Sequence, residues 1–177
     1  MLDKLIPSDF SGVVSVLRDD QTLFRKAYGY ADIPNQIPNE LNTKFATASG
    51  GKSFVALGIM KLIKDGELSL QTHIGEVLGF DLKQIDPDIT IRQLLNHTSG
   101  IPDYFDESEM HEYADLFKHF TNYKIRSSTD LLPLFINKPM MFPKGQKFQY
   151  NNAGYVLLGL IIESIAGLPF DVYLDSA

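Results

Sequence analysis

The chain has 177 residues, four histidines, no cysteine and a formal net charge of −6. It is long enough for one compact domain with a real core, and its 44% apolar content argues against disorder. No cluster of Lys and Arg stands out, so general nucleic-acid binding is disfavoured; without cysteine there is neither a disulfide framework nor thiolate chemistry.

The start, "MLDKLIPSDF", lacks the apolar core and small-residue cleavage site of a secretory signal. The longest apolar run, "YVLLGLII" at 155–162, is too short to span a bilayer. The expectation is a soluble chain with no membrane span. Residues 11–30 hold two β-rich runs around Asp19-Asp20 and predict a hairpin. An isolated hairpin is marginal in water, so further strands or a covering helix are expected. Residues 31–45 are rich in Pro and Asn and predict a loop.

From residue 49 the pattern turns helical. Phe54, Val55, Leu57, Ile59, Met60, Leu62 and Ile63 form a wide apolar surface, and Gly66 is a stop signal. This helix is expected to be largely buried. "DITIRQLLNHTSG" predicts a shorter helix capped by Thr90, with Gly100 closing the turn after it. Residues 102–128 are expected to be irregular with short helical pieces. "SSTDLLPLFINKP" predicts another short helix. "FPKGQKFQYNN" reads as a turn and an extended approach. "NAGYVLLGLIIESIAG" is the strongest helix pattern, with Asn152 at the N-cap and Gly167 just beyond the end. No repeat, low-complexity tract or linker interrupts the order.

Two chemistries are open to "ATASGGKSF" at 46–54. A phosphate loop of the form G-x-x-x-x-G-K-[ST] would need glycine at position 46, which is Ala46, and a buried strand before it. The alternative is S-x-x-K, formed by Ser49 and Lys52 at a helix start. Positions i and i+3 share one face, with Cβ atoms about 5–6 Å apart. A serine hydroxyl is a weak nucleophile until a base takes its proton, and lysine can be that base. The first helical turn adds free N–H groups for a developing oxyanion. On this motif alone a capping serine and a solvated lysine are the favoured explanation. Gly50 and Gly51, each about 1 kcal/mol poorer than Ala in a helix, favour a close approach beside Ser49.

Two later segments bear on that choice. "TIRQLLNHTSGIPDY" contains an L-L-x-H-T-S-G stretch, and Tyr150-Asn151-Asn152 form Y-x-N before an apolar helix. With S-x-x-K ahead of them, these motifs resemble the serine β-lactamase and penicillin-binding-protein family. The similarity is to its class C and D-alanyl-D-alanine carboxypeptidase branch, and it covers nearly the whole chain. The resemblance implies an α+β, β-lactamase/transpeptidase-like fold. Its N-terminal hairpin belongs to an antiparallel sheet and is followed by a mainly helical region. One domain is expected over 1–177, with hairpin and loop in 1–45 and the helical part in 46–177.

By position, the resemblance makes Ser49 the acyl-accepting nucleophile. Lys52 and Tyr150 share general-base and general-acid work. Asn152 helps to hold the substrate amide and to orient Lys52. The H-T-S-G segment is structural in the family, so His97 receives no catalytic role. The S-D-N form of the middle motif is absent, since the lone Ser-Asp pair, Ser8-Asp9, precedes Phe10. The family's third motif, Lys- or His-x-Gly on a strand, is not found after Tyr150. The expectation is therefore a truncated domain lacking its C-terminal strands, and self-association if so.

The implied activity is acyl-enzyme hydrolysis of β-lactam, D-Ala-D-Ala-type peptide or ester substrates, with no metal or organic cofactor. A non-hydrolytic penicillin-binding or sensor module, or an inactive structural fragment, is the alternative. The implied partner is a small molecule or peptidoglycan peptide, with no nucleic acid. Compartment stays open, although the resemblance suggests the cell envelope or secretion.

Overall fold

A computed structural model describes residues 2–105, 110, 112–118 and 120–176. It divides into two compact units, Met1–Ala48 and Ser49–Ala177.

In the first unit, β1 (Gly12–Arg18) and β2 (Gln21–Tyr28) form the expected antiparallel hairpin, registered from Gly12↔Tyr28 to Arg18↔Gln21. Asp19 and Asp20 both have positive φ, 46° and 64°. That is the two-residue turn whose twist suits the flanking strands. A bulge at Val16/Leu17 shifts the register. The N-terminal turn Leu2–Leu5 is pinned to β2 through Asp3, which accepts from Lys26 Nζ at 2.8 Å and Tyr28 Oη at 2.6 Å. Residues 31–45 are not wholly a loop. β3 (Tyr30–Asp32) pairs with β4 (Ile37–Pro38). The cause is local: the Asp32 carboxylate accepts from the Asn35 N–H at 3.0 Å and from its side-chain amide at 2.8 Å, which reverses the chain.

The second unit is helical. It contains α1 (Gly51–Lys64), α2 (Ile74–Val77), α3 (Ile91–Leu95), α4 (Ala153–Ala166) and α5 (Phe170–Ser176). Turns of 3₁₀ helix at Ala48–Gly50, Tyr113–Lys118, Asn122–Lys124 and Ser128–Leu134 fill the connections. The last replaces the expected short helix, because Pro133 cannot continue an α-helical ladder. α2 and α5 carry too few residues for a periodic signal and were not expected.

α4 is the centre of the core. Leu157, Leu158, Ile161 and Ile162 have no exposed surface, and α1, α2, α3 and α5 pack around them. Gly58 lets α1 approach closely: a Cβ there would lie 2.7 Å from Leu174 and 3.0 Å from Ile162. α1 itself is only half covered, which corrects the expectation of a largely buried helix. Gly58, Ile59 and Leu62 face the core, whereas Phe54, Leu57 and Met60 are exposed. Its apolar residues occupy two faces, and α4 covers one.

α3 begins with the expected cap. Thr90 Oγ1 accepts from the Gln93 N–H at 3.3 Å, and Gln93 Oε1 accepts from the Thr90 N–H at 2.9 Å. Beyond it, residues 97–100 pair with 141–149. Met141 N–H donates to Gly100 O (2.8 Å), Gly145 N–H to Thr98 O (2.7 Å) and Gln149 N–H to His97 O (2.9 Å). This pairing carries the chain to Tyr150.

Gly100 is the tightest point of that pairing. Its φ is 73°, and a Cβ would lie 2.0 Å from Phe142 O. Gly66, at φ 82°, has open space around it. Gly100→Ala is therefore expected to cost about 3 kcal/mol or more, from backbone strain plus forced displacement. Gly66→Ala meets the backbone penalty alone, about 1 kcal/mol. Chemical denaturation of both variants checks the difference; equal losses would mean that the contact with Phe142 does not constrain the turn.

Candidate active site

Four side chains from two distant parts of the sequence converge inside the helical unit. Ser49 sits in the Ala48–Gly50 turn, and Lys52 lies one turn on, in the first turn of α1. Ala48 holds a positive φ of 46°, a conformation rarely taken by residues with a side chain. Lys52 Nζ donates to Ser49 Oγ at 3.2 Å and to Asn152 Oδ1 at 2.8 Å. Tyr150 Oη donates to Ser49 Oγ at 2.7 Å. All four residues singled out in the sequence thus meet in one cluster.

The lysine is held by neutral groups. Its Nζ lies 4.9 Å from the Tyr150 ring centroid and 5.8 Å from that of Tyr155, within reach of a cation–π attraction. With the oxygens of Ser49 and Asn152, these are its partners among the described residues.

The start of α4 has Asn152 at the expected cap position, but its own side chain makes no cap bond and the capping bond comes from its neighbour. Asn151 does that work: its Oδ1 accepts from the Gly154 N–H at 2.7 Å, and its Nδ2 donates to Ile101 O at 2.8 Å. The N–H groups of Asn152 and Ala153 donate instead to the Asp103 carboxylate, at 2.6 and 3.1 Å. Asn152 Nδ2 donates to the same carboxylate at 3.2 Å and to Phe105 O at 3.3 Å. The Asn152 side chain is thereby freed from the helix and turned toward Lys52.

Asp103 is buried, and the sequence reading missed it. Burial pushes its carboxyl above the ordinary value; the backbone N–H groups of Asn152, Phe105, Ala153 and Tyr104 pull the other way. The signal was a single acid in the apolar stretch "GIPDYF", but its partners lie about 50 residues away.

His97 contributes by stacking. Its ring lies 4.7 Å from Tyr150 and 5.2 Å from Tyr155, and its Nδ1 accepts from the Asn151 N–H at 3.1 Å. Its φ of 57° aims the ring into this slot. Burial, then the nearby Lys52 charge, pushes its pKa below 6.5, in keeping with a neutral ring accepting at Nδ1. No role in proton transfer was expected of it, and among the described residues the hydrogen bonds to Ser49 come from Lys52 and Tyr150.

A cavity of about 400 Å³ opens beside Lys52 and Asn152. Val55, Leu131, Val156 and Phe170 give it apolar walls, and Arg126 and Ser127 add polar groups. Among the described residues no group of three or more His, Asp or Glu is placed to hold a metal ion. No single helix among them is long and apolar enough to cross a membrane.

The comparisons with known proteins point one way. The Beta-lactamase family model matches residues 8–176. Penicillin-binding protein 4* of Bacillus subtilis (strain 168) is 32% identical over 171 residues, which cover 95% of this chain and 35% of that protein. A solved penicillin binding protein from Bacillus halodurans is 42% identical, with a TM-score of 0.88 over 96% of this chain and 51% of its own. A D-amino acid amidase from Ochrobactrum anthropi SV3, complexed with L-phenylalanine, is 28% identical, with a TM-score of 0.72 over 93% of this chain and 44% of its own. The chain thus spans about a third of the curated relative's length and half of the first structure's. The small antiparallel sheet followed by helices agrees with the expected β-lactamase/transpeptidase-like fold. By the match of the family model over nearly its whole length, the chain belongs to the Beta-lactamase family.

Proposed function

We propose that the helical unit carries a serine acyl-transfer site. The observation that supports it most is the position of Ser49 Oγ, within hydrogen-bond reach of both Lys52 Nζ and Tyr150 Oη. Ser49 Oγ attacks a lactam, amide or ester carbonyl carbon. A carbon–oxygen bond forms, and the serine proton passes to the Lys52–Tyr150 pair, one member of which enters the step unprotonated so that it can accept. The carbonyl oxygen becomes an oxyanion, then reforms its double bond as the leaving nitrogen or oxygen departs. That atom takes up the proton held by the pair. Water repeats the sequence on the acyl-enzyme and frees Ser49. Asn152 keeps Lys52 against Ser49 through Oδ1, whose second lone pair is left to accept from a substrate amide N–H.

The substrate reading is a β-lactam, a D-Ala-D-Ala-type peptide or an ester. It is supported by relatives named for penicillin binding and by the D-amino acid amidase neighbour. The apolar cavity beside Lys52 is of a size to take an acyl side chain.

The test is covalent labelling of this chain with a fluorescent penicillin and with a fluorophosphonate. The expected result is one adduct on the peptide carrying Ser49, absent in Ser49→Ala. Tyr150→Phe, which removes one proton-transfer group, is expected to slow labelling by about 10²- to 10⁴-fold. Wild-type protein that takes neither label would refute the reading. An adduct that forms but does not decay would make the site a binding module rather than a hydrolase.

Acidic pH should disturb the site through His97. Its folded pKa lies below the unfolded value, so below about pH 6.5 the unfolded chain binds more protons. Stability is therefore lost as pH falls from about 6.5 toward the lowered value, and this contribution is flat above about pH 6.5. His97→Asn keeps an acceptor for the Asn151 N–H and tolerates the positive φ. Melting curves from about pH 7 to pH 5 should show a smaller loss in that variant than in wild type. Parallel curves would mean that His97 is not the titrating group.

A further inference from the structure

We propose that Asp103 is a positioning residue: it fixes the Asn152 amide with its oxygen toward Lys52, and so sets the lysine against Ser49. This rests on the acyl-transfer reading for its consequence, but its geometry stands by itself.

An asparagine amide has one end that accepts and one that donates. At Asn152 both ends are engaged. Nδ2 faces Asp103 Oδ2 at 3.2 Å and Phe105 O at 3.3 Å; Oδ1 faces Lys52 Nζ at 2.8 Å. An ionised carboxylate can only accept. Reversing the amide would set its oxygen against a carboxylate oxygen and a carbonyl oxygen. It would also set its NH₂ group against the lysine Nζ. Asp103 thus makes the two orientations unequal. A neutral residue able to donate as well as accept would leave the choice to the Phe105 carbonyl and Lys52 alone.

The choice of an acid at this point needs a reason. Asp103 is 6% exposed, and burying a carboxylate is costly unless donors compensate it. The N-termini of helices are ordinarily satisfied by a Ser, Thr, Asp or Asn at the cap itself, not by an acid 49 residues away. Here Asn151 already caps Gly154. The carboxylate accepts from the Asn152, Ala153, Tyr104 and Phe105 N–H groups, which explains how it is tolerated. Those bonds hold the backbone. The bond to Asn152 Nδ2 is the one that reaches the reacting groups. Lys138 Nζ donates to Asp103 O at 2.9 Å and ties this turn to the segment before Met140. The resulting chain of contacts runs Asp103, Asn152, Lys52, Ser49.

Two measurements on this chain test it. The first needs no activity. In ¹⁵N-labelled protein the Asn152 side-chain NH₂ signals, assigned by their loss in Asn152→Ala, should exchange slowly with solvent, and Asp103→Asn should make them fast. Fast exchange in wild type would overturn the proposal, even if Asp103→Asn did not fold. The second is a double-mutant cycle on the acylation rate by a fluorescent penicillin. Asp103→Asn should slow acylation about ten- to a hundredfold while leaving the concentration for half-maximal rate unchanged. In the Asn152→Ala background it should add almost nothing, because its effect travels through Asn152. Equal slowing in both backgrounds, or none in either, would contradict the positioning role. Wild-type protein that never acylates would remove the acyl-transfer reading, and the exchange measurement would still decide the link between Asp103 and Asn152.

Discussion

The contact between Lys52 Nζ and Asn152 Oδ1 joins residues 100 apart in sequence, and the site depends on it. Lysine side chains are long and lose considerable rotamer entropy when held. Holding one against a serine therefore needs a rigid opposing group. Here that group is an amide at the head of the most buried helix in the chain. α4 is fixed by Leu157, Leu158, Ile161 and Ile162, and its first N–H groups are fixed by Asp103 and Asn151. The precision at Ser49 thus comes from the core through the start of α4.

The aromatic groups complete the arrangement from the other side. The chain from His97 to Gly100 pairs with 141–149, and this sets where Tyr150 leaves the pairing. His97 then lies tilted against the Tyr150 ring and stacks on that of Tyr155. Tyr155 is anchored in turn, its hydroxyl donating to Leu95 O at 3.2 Å. The H-T-S-G segment therefore works as a structural brace for Tyr150.

What the sequence made legible was local. The S-x-x-K spacing places Ser49 and Lys52 on one helix face whatever lies around them. The hairpin turn at Asp19-Asp20, the Thr90 cap and the apolar run of α4 were readable for the same reason. What escaped depends on partners far along the chain. Asp103 went unremarked because the donors that join it to α4 are at 152 and 153. The capping side chain of Asn151 escaped for the same reason: Asn152 holds the cap position, and its bonds to Asp103 leave the capping bond to its neighbour. The exposure of Phe54, Leu57 and Met60 was unreadable because an apolar face does not say whether a cover is present.

A crystal structure of this chain after reaction with a penicillin tests the central assignment most directly. The expected result is electron density continuous from Ser49 Oγ to the former lactam carbonyl carbon, with Lys52 Nζ still bridging Ser49 and Asn152. Density joined to another side chain, or an acylated Ser49 with Lys52 turned away from Asn152, would contradict it.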